Sequence, residues 1–168
     1  MNQMEQIKVE KVVVNIGEGK VGQEVEKAVR LLESITGKSA VKTTSKDSAK
    51  TFGKRSGLEI GAAVTLRGEE AEEFVKKVLP AANDITEDSF DGNGNFSFGV
   101  DEYIDVPGVD YDSDIGMKGF EVTVVLERPG YRTKRRNHKP SEVGKDHKVD
   151  DYEAIEFAKD ELGVEVKE

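Results

Sequence analysis

Apolar residues in this chain recur at two spacings, about two residues apart in some stretches and about 3.6 in others, and these spacings mark out the elements. Residues 7–16 (IKVEKVVVNI) are dense in β-branched side chains, which predicts a strand. After a glycine turn, Val21, Val25, Ala28, Val29, Leu32 and Ile35 fall at helical spacing, and Gly37 is placed to cap that helix. A short strand is predicted over 40–44 and a stronger one over 58–66 (LEIGAAVTL). Residues 69–79 set Ala71, Phe74, Val75 and Val78 on one helical face. Acids occupy the first turn and lysines the end, as the helix dipole favours, and Pro80 lies just beyond.

A Gly, Asn and Asp-rich turn at 91–95 precedes a short strand over 96–100. Residues 101–119 are acidic and turn-rich, which predicts a surface loop. Phe120, Val122, Val124 and Leu126 alternate with Glu121, Thr123, Val125 and Glu127, the pattern of a half-buried strand. Asp150 and Glu153 have capping-box spacing for a helix through Leu162; Gly163 ends it, and 164–166 form a last strand. Helices and strands mix without a regular βαβ alternation. The expected fold class is therefore α+β: a single domain over 1–168, an antiparallel sheet with helices packed on one face. A basic loop, 45–57, is expected to project from it, and 128–149 forms a basic-to-mixed extension before the C-terminal helix.

Charge changes the picture from fold to function. The net charge is −9, a poor composition for a phosphate-binding protein taken as an average. The charge is segregated, however. Residues 38–57 carry six bases against one acid, and residues 128–139 carry six bases and no acid. The remainder holds 13 bases against 33 acids, and no base occurs between Lys77 and Lys118. Segregation of this kind creates local fields that attract a polyanion to two segments while the rest repels it.

Other classes have little support. No apolar run approaches the ~20 residues needed to cross a bilayer, and MNQMEQIKVE lacks the basic start and apolar stretch of a signal peptide. A cytoplasmic protein with no membrane partner is expected. The absence of cysteine excludes disulfides, thiolate chemistry and Cys-based zinc sites. His138 and His147 are the only histidines, so no metal site, no cofactor and no catalytic residue is assigned. Gly17, Gly19 and Gly22 match a dinucleotide-binding turn between strand and helix, and a dinucleotide-dependent enzyme is the alternative reading. Glu18 would face the pyrophosphate, no acid ends the next strand, and no second βαβ unit follows, so a plain tight turn is favoured. Phe96 and Phe98 share a strand face; without a basic RNA-recognition motif around them, they are read as core residues.

The two basic segments suit RNA. Lys42, Lys46, Lys50, Lys54 and Arg55 offer phosphate contacts, while Thr43, Thr44, Ser45 and Ser48 can bond phosphates or 2′-hydroxyls. In the second segment Pro129-Gly130 makes a turn, and Tyr131 adds a flat face amid Arg128, Arg132, Lys134, Arg135 and Arg136. Arginine both pairs with phosphate and stacks on bases.

Six motifs occur in order: Lys11-Val-Val-Val-Asn-Ile-Gly17, Phe52-Gly-Lys-Arg-Ser-Gly57, Val64-Thr-Leu-Arg-Gly68, Gly94-Asn-Phe-Ser-Phe-Gly99, Ile115-Gly-Met-Lys-Gly119 and Glu127-Arg-Pro-Gly-Tyr-Arg132. They run from Lys11 to Arg132, and over about residues 7–166 the chain resembles large-subunit ribosomal protein five, the 5S rRNA-binding family, in its archaeal and eukaryotic form. The resemblance implies a structural constituent of the cytoplasmic ribosome that docks 5S rRNA in the central protuberance beside large-subunit protein eighteen. It also implies contact with large-subunit rRNA, a bridge to small-subunit protein thirteen, and contact with peptidyl-site tRNA. By motif, Asn15, Thr65 and Arg67 join Lys42, Thr43 and the second basic segment on the rRNA side. The family's tRNA-facing loop corresponds here to Lys46, Ser48, Lys50, Phe52, Lys54 and Arg55.

Overall fold

The computed structural model describes residues 2–46 and 56–167. Five strands form one antiparallel sheet: β1 (Lys8–Gly17), β2 (Val41–Thr44), β3 (Glu59–Leu66), β5 (Phe96–Val100) and β6 (Phe120–Glu127), in spatial order β2-β3-β1-β6-β5. β1 lies at the centre, pairing Val13 with Thr65 on one side and with Thr123 on the other. Two helices, α1 (Gln23–Thr36) and α2 (Glu69–Val78), cover one face. The expected α+β class, with helices on one side of an antiparallel sheet, is the observed one.

Alternation explains why the sheet is two-sided. Val12, Val14 and Ile16 from β1, Ala62, Val64 and Leu66 from β3, and Val122, Val124 and Leu126 from β6 all point into the core. They meet Ala28, Leu31, Leu32 and Ile35 of α1 and Ala71, Phe74, Val75 and Val78 of α2 in one cluster. Phe96 and Phe98 belong to that cluster, with ring centroids 6.4 Å apart, so they are core residues as read from the sequence. Gly37 ends α1 in the left-handed conformation, its N–H donating to the Glu33 carbonyl, and Asp150 and Glu153 form a capping box at the start of α4 (Asp151–Phe157).

Several expectations need correction. Val21 is exposed and precedes α1, so the apolar stripe of that helix begins at Val25. The acidic segment 101–119 is not purely a surface loop, because Tyr103, Val106 and Ile115 are buried in the core. Tyr103 anchors it further: its hydroxyl accepts from the Asp112 N–H at 2.8 Å. The final helix changes pitch, running as α4 to Phe157 and then as a π-helical turn over Ala158–Leu162 before Gly163. The strand expected over 164–166 is the two-residue β7 (Val166–Lys167). Two elements escaped the pattern altogether: β4 (Ile85–Thr86), which pairs in parallel with β7, and the short helix α3 (Arg132–Arg135).

Candidate nucleic-acid interface

The face of the sheet opposite the helices carries a continuous polar and small-residue surface. In one register row Val41, Ala63, Asn15, Glu121 and Gly99 lie side by side, and in the next stand Thr65, Val13, Thr123 and Ser97. Asn15 and Thr65 therefore share this face, one register row apart on neighbouring strands. Thr43 joins them from β2, its hydroxyl lying over Gly61, where an added Cβ would sit 2.7 Å from Thr43 Oγ1 and closer still to the Ile16 carbonyl. Lys42 does not join them. It shares a row with core-facing Ala62, and its ammonium binds Glu26 of α1 (2.5 Å) and Glu59 (3.2 Å) on the helix side.

At one end of this face a β-bulge between Val9 and Lys11 departs from strict alternation and places Glu10 beside Lys11. The Glu10 side chain is only 7% exposed and binds Arg67 at 2.6 Å as well as Arg135 of α3. Arg135 also reaches Glu127 at 2.7 Å. One carboxylate thus ties β3, β1 and the C-terminal extension together. Sequence reading missed Glu10, because an acid in a strand reads as solvent-facing and a bulge leaves no mark in the residue pattern.

Burial pushes the Glu10 carboxyl upward, but the Arg67 hydrogen bond and the charges of Lys11, Arg67 and Arg135 outweigh it, so its pKa falls below the ordinary carboxylate range. Glu127 moves the other way: burial raises it, and Arg135 compensates only in part. A carboxyl with a depressed folded pKa contributes stability that is present above the unfolded value of about 4.3 and is lost as pH falls through the folded value. Glu10→Gln is therefore expected to flatten the acid limb of stability between roughly pH 5 and pH 3. The check is a set of urea titrations across that range, and an acid limb as steep as wild type would count against the assignment.

The remaining sequence-derived residues fall into distinct places. Arg128 is buried, 8% exposed, and its guanidinium donates to the carbonyls of Glu5 (3.1 Å) and Lys148 (3.3 Å) and pairs with Glu153. The sequence reading placed Arg128 with the RNA-facing bases; the signal for its burial was the inward parity of Val124 and Leu126, which it continues past the end of β6. Tyr131 is held by its hydroxyl, which accepts from the Val149 N–H at 3.1 Å and donates to the His147 carbonyl at 3.4 Å. Arg136 donates to the Lys139 carbonyl at 2.7 Å. Arg132 and Lys134 are exposed and have no ion-pair partner among the described residues. Lys46 stands at the base of the 45–57 loop, where Ser56 Oγ donates to its carbonyl. Ser48, Lys50, Phe52, Lys54 and Arg55 lie outside the described residues. Lys46 and Ser56 lie beside the start of β3, at the end of that strand opposite to Arg67.

The glycine turn is not arranged for a dinucleotide. The N–H groups of Glu18 and Gly19 both donate to the Ile60 carbonyl, at 2.9 and 3.0 Å, and so are turned away from any pyrophosphate. Glu18 is bound instead by Lys118 at 2.5 Å, with Glu24 on the same ammonium at 2.8 Å. The strand before the turn has antiparallel neighbours on both sides, not the parallel ones of a dinucleotide fold.

The chain is thus an α+β protein with a one-sided antiparallel sheet whose open face runs into clustered arginine and lysine, in an otherwise acidic chain. Comparison with known proteins gives this class its family. Residues 2–55 match the model of ribosomal protein L5, and residues 59–157 match the model of that ribosomal family's C-terminus. The chain is 43% identical to large ribosomal subunit protein uL5 of Sulfolobus acidocaldarius, covering 99% of this chain and 94% of the relative. It is 46% identical to the protein of the same name from Nanoarchaeum equitans, over 97% of each. The chain belongs to the ribosomal protein L5 family and is a structural protein of the large ribosomal subunit. Among the described residues no helix is long and apolar enough to cross a membrane.

Proposed function

We propose that this chain binds 5S rRNA through the open face of its sheet and so helps to hold that RNA in the central protuberance of the cytoplasmic ribosome. The observation that carries the reading is the continuity of that face: Asn15 and Thr65 lead along β1 and β3 directly to Lys11 and Arg67. Uncharged side chains there can bond 2′-hydroxyls and base edges, while the cations at the end neutralise phosphate. Glu121, beside Asn15, is the one acid in these two rows, and so RNA must approach from the Thr65 side. Family likeness supports the remaining partners: large-subunit rRNA, large-subunit protein eighteen, small-subunit protein thirteen, and peptidyl-site tRNA at the loop from Lys46 to Gly57.

The test is a gel-shift titration with 5S rRNA and magnesium at several salt concentrations. Wild type is expected to bind near physiological salt. Asn15→Ala with Thr65→Ala should weaken binding about tenfold, roughly the worth of two hydrogen bonds, without changing the salt slope. Lys46, Lys50 and Arg55 changed together to Ala should flatten the slope by about one unit for each phosphate no longer neutralised. An unchanged slope would assign that loop to tRNA alone, and no binding by wild type would defeat the 5S reading.

A further inference from the structure

A cleft of about 580 Å³ lies where the 131–148 stretch folds back over the Lys11–Arg67 end of the sheet, closed on a third side by the turn at 91–95. We propose that this cleft receives a single unstacked nucleotide of the bound RNA, an inference that rests on the 5S rRNA reading above. Its size is that of a small-ligand site, with room for one nucleotide and none for a duplex.

Charge favours an anion there. Glu10 is paired with Arg67 and Arg135, and Glu127 with Arg135. Lys134 and Lys148 also line the cleft, and neither has an ion-pair partner among the described residues. Glu142 is the remaining lining acid, so the five bases of the lining, Lys11, Arg67, Lys134, Arg135 and Lys148, stand against three acids, Glu10, Glu127 and Glu142. The local balance is positive in a chain whose net charge is −9, so a phosphate is drawn to this place rather than to the surface at large.

The walls suit a base. Tyr131 is fixed through its hydroxyl by Val149 and His147, so its ring is a wall that cannot swing away. An immobilised aromatic ring offers a stacking face at little further entropic cost. Asn93 and Asn95 commit their amide nitrogens to Asp91, at 3.3 and 2.8 Å, which leaves their amide oxygens as acceptors for a base edge. The cleft also continues the open face, since Lys11 and Arg67 follow Val13 and Thr65 on their strands. An RNA strand lying along that face can turn one nucleotide into it.

The experiment uses the full chain with 5S rRNA. Lys134→Gln with Lys148→Gln is compared with Lys76→Gln and Lys77→Gln, the same charge change on the far side of α2, with thermal melts confirming that both variants fold. The complex is then irradiated, digested, and searched by mass spectrometry for peptides carrying a nucleotide. The cleft variant is expected to bind about tenfold more weakly than the control, with a salt slope flatter by about one unit, and the wild-type complex to yield an adduct on Tyr131. Equal affinity of the two variants, with adducts confined to the β1 and β3 peptides, overturns the proposal while leaving the 5S reading intact. Failure of wild type to bind 5S rRNA overturns both.

Discussion

Replacing Arg128 with alanine is expected to lower the unfolding free energy by about 2–4 kcal/mol while leaving the RNA affinity of the folded fraction near wild type. Arg128 is 8% exposed and links three separate places: the N-terminal segment at Glu5, the carbonyl of Lys148, and Glu153 at the head of α4. Its loss strands two carbonyls and a carboxylate. Glu153 is itself partly open to water, which keeps the expected cost below that of a fully buried pair. In a domain of this size that is a fall in melting temperature of roughly 5–15 °C. Arg128→Lys should not restore stability, because the three donors of an ammonium radiate from one nitrogen, whereas Glu5, Lys148 and Glu153 are met by three separate nitrogens of the guanidinium fork. The measurement is urea denaturation set beside 5S rRNA titration. A variant as stable as wild type but weak in RNA binding would make Arg128 an RNA contact after all.

Phe96→Ala is expected to cost about 3–5 kcal/mol, the usual range for deleting a buried aromatic ring. Phe96 is packed between Phe90 and Phe98, with ring centroids 5.1 and 6.4 Å away, at the point where the far edge of the sheet meets the core. The side chain that this part of β5 shows to the open face is Ser97, which pairs with Thr123. RNA affinity should therefore change only through the folded fraction. A stable Phe96→Ala protein that no longer bound RNA would reverse this and make the phenylalanines a stacking platform.

Arg128 and Phe96 are residues whose type alone suggests RNA, and in both the register turns the side chain inward. Arginine within a basic run and paired aromatics on a strand are familiar RNA contacts. Arg128 keeps the inward parity of β6, and Phe96 and Phe98 keep that of β5, so each points to the core. Register likewise separates Lys42 from Thr43: adjacent residues on a strand face opposite ways, and only Thr43 reaches the open face.

The α+β class, the first strand, the two long helices, the Gly37 cap of α1 and the capping box of α4 were legible because each rests on local periodicity and on residues within a few positions of one another. The L5 family was legible too, through six short motifs in order. Other features required the folded chain. Glu10 gained its role from a bulge and from partners 57 and 125 residues away. β4 is two residues long, too short to show a period, and exists because β7 returns to pair with the segment after α2. The cleft exists only where the C-terminal extension folds back on the sheet. Sequence alone determined which side of each element is apolar and which segments carry positive charge, since both are properties of neighbouring residues. Tertiary structure alone decided which of those charges are neutralised within the protein and which stay open to RNA, because that depends on distances between residues far apart in the chain.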